Sequence, residues 1–192
     1  MCKIEMNLAA LLIALTTTSC AATYQATYIP TTGEPTATLH IVAKRDAAGF
    51  LPTGYVFGFS QGLNCGADGP RASLGGKYKT KTVEDFNSLP IPAGNSINLT
   101  ALTIRALNNA TRQCGDMINF TPIAGHAYEA IFSSSNEAQH CALAVRDLTV
   151  QMSVGEIVPS CHMLTRQDGT PVKNGEGLTQ LGPKIEVHVT RY

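Results

Sequence analysis

Apolar residues recur at every second position over much of the chain, and that period predicts β-strands rather than helices. In "TATLHIVAK" (36–44) Leu39, Ile41 and Ala43 share one face. In "GYVFGFS" (54–60) Tyr55, Phe57 and Phe59 do the same, and Gly58 marks a bulge or a close backbone approach. Pro90, Pro92 and Gly94 mark an extended segment and a turn, after which "SINLTALTIRA" (96–106) predicts a strand with a bulge near Thr100. Three alternating runs follow within 114–147: Ile118 and Phe120, then Tyr128, Ala130 and Phe132, then Cys141, Leu143 and Val145. The turns "TPIAGH" and "SSSNEAQ" separate them, so the expectation is a three-stranded antiparallel meander. "LTVQMSV" (148–154) extends the last of these strands or forms another, and "KIEVHVTRY" (184–192) closes the chain with Ile185, Val187 and Val189 on one face. The Gly-rich stretch 61–78 reads as a long irregular loop carrying Cys65, "LNNATRQ" (107–113) as a loop, and "PSCHMLTRQDGTPVKNGEG" (159–177) as a loop carrying Cys161, with "DGTP" as its turn.

About seven to nine short strands with turn-rich connections predict an all-β, antiparallel β-sandwich of immunoglobulin-like or transthyretin-like architecture, with a small β-barrel as the alternative. A chain of 192 residues has room for one domain of ordinary size. The expected division is a signal peptide over 1–19, a tether over 20–35 and a single β-sandwich domain over 36–192. The tether is rich in Thr, Ala, Pro and Gly without an apolar period, which predicts a disordered or extended segment.

Residues 7–15, "NLAALLIAL", are too short to span a bilayer, which takes roughly 20 apolar residues, but suit the apolar region of a signal peptide. Lys3 precedes them, and small residues lead into Ser19 and Cys20. This segment resembles the signal of a bacterial lipoprotein, cut by signal peptidase II before a lipidated cysteine, although Thr17 stands where that family prefers Leu. The resemblance implies lipidation at Cys20 and, because Ala21 rather than Asp follows, an outer-membrane location facing the periplasm. Three acyl chains would anchor far more firmly than one. Plain secretion, with a cut near "SCAA", is the alternative. A second resemblance covers 114–147 only. The aromatic strand, Pro122 with Gly125, Tyr128, Phe132, and Cys141 with alternating apolar residues ending at Asp147 look like the C-terminal part of small uncharacterised envelope lipoproteins. It implies fold and compartment and transfers no active site.

Six cysteines are present. Cys2 falls in the signal and Cys20 at the anchor, which leaves Cys65, Cys114, Cys141 and Cys161. An even set in an exported chain predicts two disulfides, with three connectivities open. Cys114 and Cys141 lie at the same end of the first and third strands of the expected meander. Such strands in one flat sheet stand about 10 Å apart, and a disulfide needs Cα atoms within about 7 Å. Cys114–Cys141 therefore requires that the strand cross to the other sheet or fold over the sheet end; it is the preferred pair, with Cys65–Cys161 joining the two long loops. A metal site of His140, Cys141, Cys161 and His162 is disfavoured, because neighbours on a strand point to opposite faces and the paired spacing of zinc ligands is missing.

Charge adds exclusions more than functions. Fourteen basic residues balance fourteen acidic ones, so no general field attracts nucleic acid. The densest basic group, "KYKTK" (77–81), reads as a solvated loop or edge strand. There is no nucleophile elbow and no phosphate loop, and the "DG" turns at 68–69 and 168–169 lack a calcium ligand series. Glu84, Asp85, Asp116, Glu129 and Asp147 are the carboxylates available to a glycosidase-type pair, and turn, cap or surface roles are expected for each. The row Tyr55, Phe57, Phe59 is expected in the core. No cofactor and no metal are expected. The leading expectation is a non-enzymatic, lipid-anchored envelope protein acting as a structural or binding module for another envelope protein or glycan. The alternatives are a protein inhibitor or secretion-machinery accessory using the 61–78 loop, and a hydrolase acting on wall or surface glycans.

Overall fold

The computed structural model describes residues 28–46, 53–61, 71–79 (backbone only), 82–107, 109–157 and 161–181. Thirteen strands follow in chain order: β1 (Thr36–Arg45), β2 (Thr53–Gln61), β3 (Arg71–Lys79), β4 (Val83–Pro92), β5 (Ile97–Ala106), β6 (Ala110–Phe120), β7 (Ala127–Ser134), β8 (Cys141–Asp147), β9 (Met152–Val154), β10 (Glu156–Ile157), β11 (Leu164–Thr165), β12 (Pro171–Val172) and β13 (Gly177–Leu181). The first sheet has the order β4-β1-β7-β8-β9 and the second β10-β6-β5-β2-β3, with β13 also pairing β6. Pairing is antiparallel except between β1 and β7, which run parallel. Strands β11 and β12 form a separate small ribbon.

This is the expected β-sandwich, and neither sheet closes into a barrel. Its main strand orders are 4-1-7-8 and 3-2-5-6, which are not those of the immunoglobulin-like alternative. The immunoglobulin-like one keeps its first two strands in one sheet, whereas β1 and β2 lie in opposite sheets here.

Alternation does what the pleat requires. Leu39, Ile41 and Ala43 of β1 and Tyr128, Ala130 and Phe132 of β7 face Tyr55, Phe57 and Phe59 of β2 and Ile97, Leu99 and Ala101 of β5, all buried. Four rings lock the middle of this layer. Phe132 lies edge-on to Tyr55 and Phe57, with centroids 6.4 and 6.1 Å away, and Phe86 lies edge-on to the same two at 6.3 and 5.1 Å. Edge-to-face contacts of this kind add to simple burial.

Several expectations need correction. There is no meander over 114–147: β6 belongs to the second sheet and β7 to the first, because the loop through Pro122 and Gly125 (φ +76°) carries the chain across the end of the sandwich. Part of the 61–78 loop is strand β3, at the edge of its sheet among the described residues and laddered to β2; an edge needs main-chain pairing on one side and no apolar period. "LNNATRQ" is mostly strand, since the β5–β6 ladder runs to Ala106 and Thr111. The register of β5 is continuous on both sides of Thr100. The irregularity lies instead at Phe57/Gly58, opposite β3, as Gly58 suggested, and the Thr100 hydroxyl donates to the Gly58 carbonyl at 3.0 Å. The extended segment and turn expected at Pro90, Pro92 and Gly94 are present: the prolines end β4, an edge strand where a missing N–H is tolerated. "LTVQMSV" folds back as β9 antiparallel to β8.

The stretch 159–177 holds the β11–β12 ribbon, whose turn is fixed by the Asp168 carboxylate accepting the Thr170 N–H and hydroxyl at 2.9 and 2.7 Å. It ends in β13, which the loop expectation missed. Gly177 is required there, since a Cβ would run into the Ala138 carbonyl oxygen. The closing strand expected over 184–192 lies outside the described residues.

Part of the expected tether belongs to the described residues. Residues 28–35 are ordered against the domain: the Tyr28 ring meets Phe59 edge-on at 5.1 Å, and its hydroxyl donates to Glu34 at 2.9 Å. Glu34 in turn accepts the Thr31 N–H and hydroxyl, closing a turn. Burial, helped by the bond to and the charge of Glu34, pushes the Tyr28 hydroxyl up to about 12. One aromatic anchor therefore orders a composition that otherwise reads as linker.

Candidate functional site

The strand directions give the sandwich two distinct ends. At the entry end lie the start of β1, the end of β4, the loop 121–126 and the turn 148–151. At the far end lie Arg45, Val83, Ser134 and Cys141.

The far end carries a cleft of about 490 Å³ lined by Lys44, Arg45, Asp46, Ser133, Ser134, Ser135, His140, Cys141 and Ala142. Each wall follows from the pleat. Arg45 continues the inward series of β1 and is buried, whereas Lys44 faces out. Ser134 is likewise buried at the inner face of β7, while Ser133 is exposed. The rim is tied by paired bonds: Ser135 N–H donates to the His140 carbonyl at 2.8 Å, and His140 N–H donates to the Ser135 hydroxyl at 2.8 Å. Behind the cleft the space between the sheets is polar. The Arg45 guanidinium donates to the Thr53 hydroxyl at 2.6 Å. The Tyr55 hydroxyl is pushed up by burial, opposed by the nearby Ser134 and by the charges of Arg45 and Arg105, with Glu84 acting in the same sense as burial. Two cations, three hydroxyls and an imidazole against one carboxylate make the cleft rich in hydrogen-bond donors.

At the entry end, His126 Nδ1 and Asp147 Oδ2 are 2.7 Å apart. Asp147 Oδ1 accepts the N–H groups of Thr149 and Val150 at 2.8 and 3.3 Å. Tyr128 stands opposite Asp147 in the β7–β8 ladder, and its hydroxyl accepts the Ile123 N–H at 3.0 Å. Burial alone would raise the Asp147 carboxyl, but the bonds from His126, Thr149 and Val150 and the His126 charge outweigh it and bring it below the ordinary value. No Ser, Thr or Cys side chain among the described residues hydrogen-bonds His126. The constellation clamps the loop 121–126 to the turn 148–151 and presents no nucleophile.

Its pH dependence has a definite sign. A carboxyl depressed by folding contributes stability above its unfolded pKa of about 3.9 and loses it as pH falls through the folded value. Asp147→Asn is expected to cost about 1–3 kcal/mol at neutral pH. The gap between wild type and variant should narrow below about pH 4, as read by urea unfolding at several pH values. A gap unchanged at pH 3 would remove the clamp's charge from the account.

The remaining sequence candidates fall as follows. Asp116 accepts its neighbour Met117 N–H and, across the sandwich, the Leu143 N–H at 2.7 Å. Asp85 pairs with His40 Nε2 at 2.5 Å on the outer face of the first sheet, with Glu129 3.9 Å from the other ring nitrogen. Glu84 corrects its expected surface role: it alternates inward with Phe86 and is buried. Cys114–Cys141 is formed, with Cα atoms 6.0 Å apart, and it joins β6 of one sheet to β8 of the other. Cys161 is buried and also disulfide-bonded. Cys65, its expected partner, and Cys20 lie outside the described residues. Cys141 is buried and His140 exposed, as strand alternation required. Among the described residues no three His, Cys, Asp or Glu side chains come close enough to hold a metal.

Sequence reading missed the inward polar set of Arg45, Thr53, Glu84 and Ser134. The signal was present: Arg45 has the parity of Leu39, Ile41 and Ala43, and Glu84 that of Phe86. It also missed the His126–Asp147 pair, which the β7–β8 register creates by setting Tyr128 opposite Asp147. Comparison with protein families, with curated proteins and with solved structures gives no match to the chain.

Proposed function

We propose that the protein is a non-enzymatic module of the bacterial cell envelope, anchored through lipid at Cys20 and facing the periplasm, that binds another envelope protein or glycan at the donor-rich cleft. The Cys114–Cys141 disulfide carries this reading. Such bonds form and persist in exported proteins, and this chain opens on an apolar segment ending in Cys20. Two further features support it. Asp116, Asp147 and Asp168 commit their carboxylates to backbone N–H groups, which suits turns and clamps rather than acid–base work. The cleft lies at the end opposite the one the chain enters, and therefore away from an anchor at Cys20, the better position for meeting a partner.

Intact-mass measurement of protein recovered from membranes, with and without reductant, tests the reading. The expected result is an N-terminus at Cys20 carrying acyl chains, together with two bridges that reduction opens. A mature chain beginning beyond Cys20, or one with unprocessed residues 1–19, would overturn the anchor. Free thiols at Cys65 and Cys161 would overturn their pairing.

A further inference from the structure

Seven large hydrophobic side chains are exposed among the described residues: Ile29, Val83, Ile123, Val150, Met152, Ile157 and Leu181. They are not scattered evenly. Ile29 precedes the turn that leads into β1, Ile123 lies in the loop 121–126, and Val150 and Met152 belong to the β8–β9 turn and the start of β9. Ile157 sits opposite Ile118 near the end of β6. These five, each more than half exposed, occupy the entry end. Ile123 and Val150 are both held by backbone bonds, to the Tyr128 hydroxyl and the Asp147 carboxylate, and Tyr128 and Asp147 stand opposite each other in the β7–β8 ladder. Only Val83 and Leu181 lie at the other end. The stretches 28–40, 90–99, 117–130 and 147–157, which build most of the entry end, contain no Lys or Arg, and β3 brings Arg71 to this end opposite Ser60.

We infer that this apolar rim seats the entry end of the sandwich in the interface of the lipid bilayer. The inference rests on the Cys20 anchor proposed above. From Cys20 to Tyr28 the chain can span at most about 28 Å, so the entry end is the part of the fold tethered nearest the lipid. Exposed apolar side chains gathered there gain by entering the headgroup region. With so few basic residues at this end, the contact draws chiefly on apolar burial and depends little on anionic lipid and on salt. The clamp of His126, Tyr128 and Asp147 then has a purpose, since it holds Ile123 and Val150 on rigid backbone.

The chain contains no tryptophan, so a single introduced one reports alone. Lipidated full-length mature protein carrying Ile123→Trp, Met152→Trp or, as the far-end control, Val83→Trp is reconstituted in neutral phosphatidylcholine vesicles with brominated acyl chains. The expected result is blue-shifted emission and several-fold stronger quenching for Ile123→Trp and Met152→Trp than for Val83→Trp, little changed by added salt. Equal, weak quenching of all three in protein that floats with the vesicles would overturn the seating and leave the anchor standing. Emission of Ile123→Trp already blue-shifted in detergent-free protein without vesicles would overturn it too, by showing the rim covered by the chain itself. Protein that carries no acyl group and fails to float would overturn both readings together.

Discussion

Replacing Phe132 by alanine is expected to cost about 3–5 kcal/mol, a large share of the roughly 5–15 kcal/mol that holds a domain together. Phe132 is fully buried on β7 and meets Tyr55 and Phe57 from the opposite sheet edge-on. Its loss removes the apolar transfer term and leaves a cavity between two layers whose strands are fixed by their own ladders, so little collapse can refill it. Two edge-to-face contacts, each worth about 0.5–1.5 kcal/mol, go as well. Phe132→Leu keeps most of the volume and should cost about 1–1.5 kcal/mol. Urea unfolding of both variants checks the pair of values. A Phe132→Ala cost no greater than that of Phe132→Leu would mean that the four rings are not the centre of the core.

Opening the Cys114–Cys141 bridge by the double change Cys114→Ala and Cys141→Ala should cost about 3.5 kcal/mol, the chain-entropy value for a loop closed by residues 27 apart. For a domain of this size that corresponds to a fall in Tm of roughly 7–14 °C. The position of the bond adds to its effect. β9 pairs only with Val145 to Asp147 of β8, so the remaining N–H groups on that side of β8 need other partners. Leu143 donates to the Asp116 carboxylate and Cys141 to the Gly175 carbonyl at 2.9 Å. The disulfide and the Asp116 bond thus stitch β6 to β8 two residues apart, where the edges of the two sheets meet. Alanine is the suitable replacement because Cys114 is completely buried and serine would bring in an unpaired hydroxyl. Calorimetry showing a loss below about 1 kcal/mol would mean that the Asp116 bond and β13 close this edge unaided.

Much of the fold was legible because strand alternation is a local property. Tyr55, Phe57 and Phe59 announced an inner face, and so did Tyr128, Ala130 and Phe132. Which sheet each strand joins is not local. The crossover after Phe120 looks like an ordinary turn from its residues, and only the distance objection to a Cys114–Cys141 bond within one sheet hinted that β6 and β8 lie in different layers. Edge strand β3 was illegible for a different reason: Gly75 and Gly76 carry no side chains to alternate, and its stability comes from main-chain bonds to β2. The polar residues inside the far end were readable by parity, but charge overrode parity as a guide. The His126–Asp147 pair was unreadable without the register that places them together.

The parallel pairing of β1 with β7 has a consequence for how the chain acquires its shape. Thr38 stands between Pro90 of β4 and Ala127 of β7, and the first strand is enclosed on both sides only after the seventh has been delivered. A nascent chain emerging N-terminus first therefore leaves β1 without its β7 partner until about two-thirds of the chain has been made. Contacts so distant in sequence make for slow folding and a long interval in which an unpaired strand edge is open to aggregation. A fragment ending at Phe120 would keep β1 beside β4 but lack β7 and β8, so the first sheet could not be completed. Order in this protein waits for its last third.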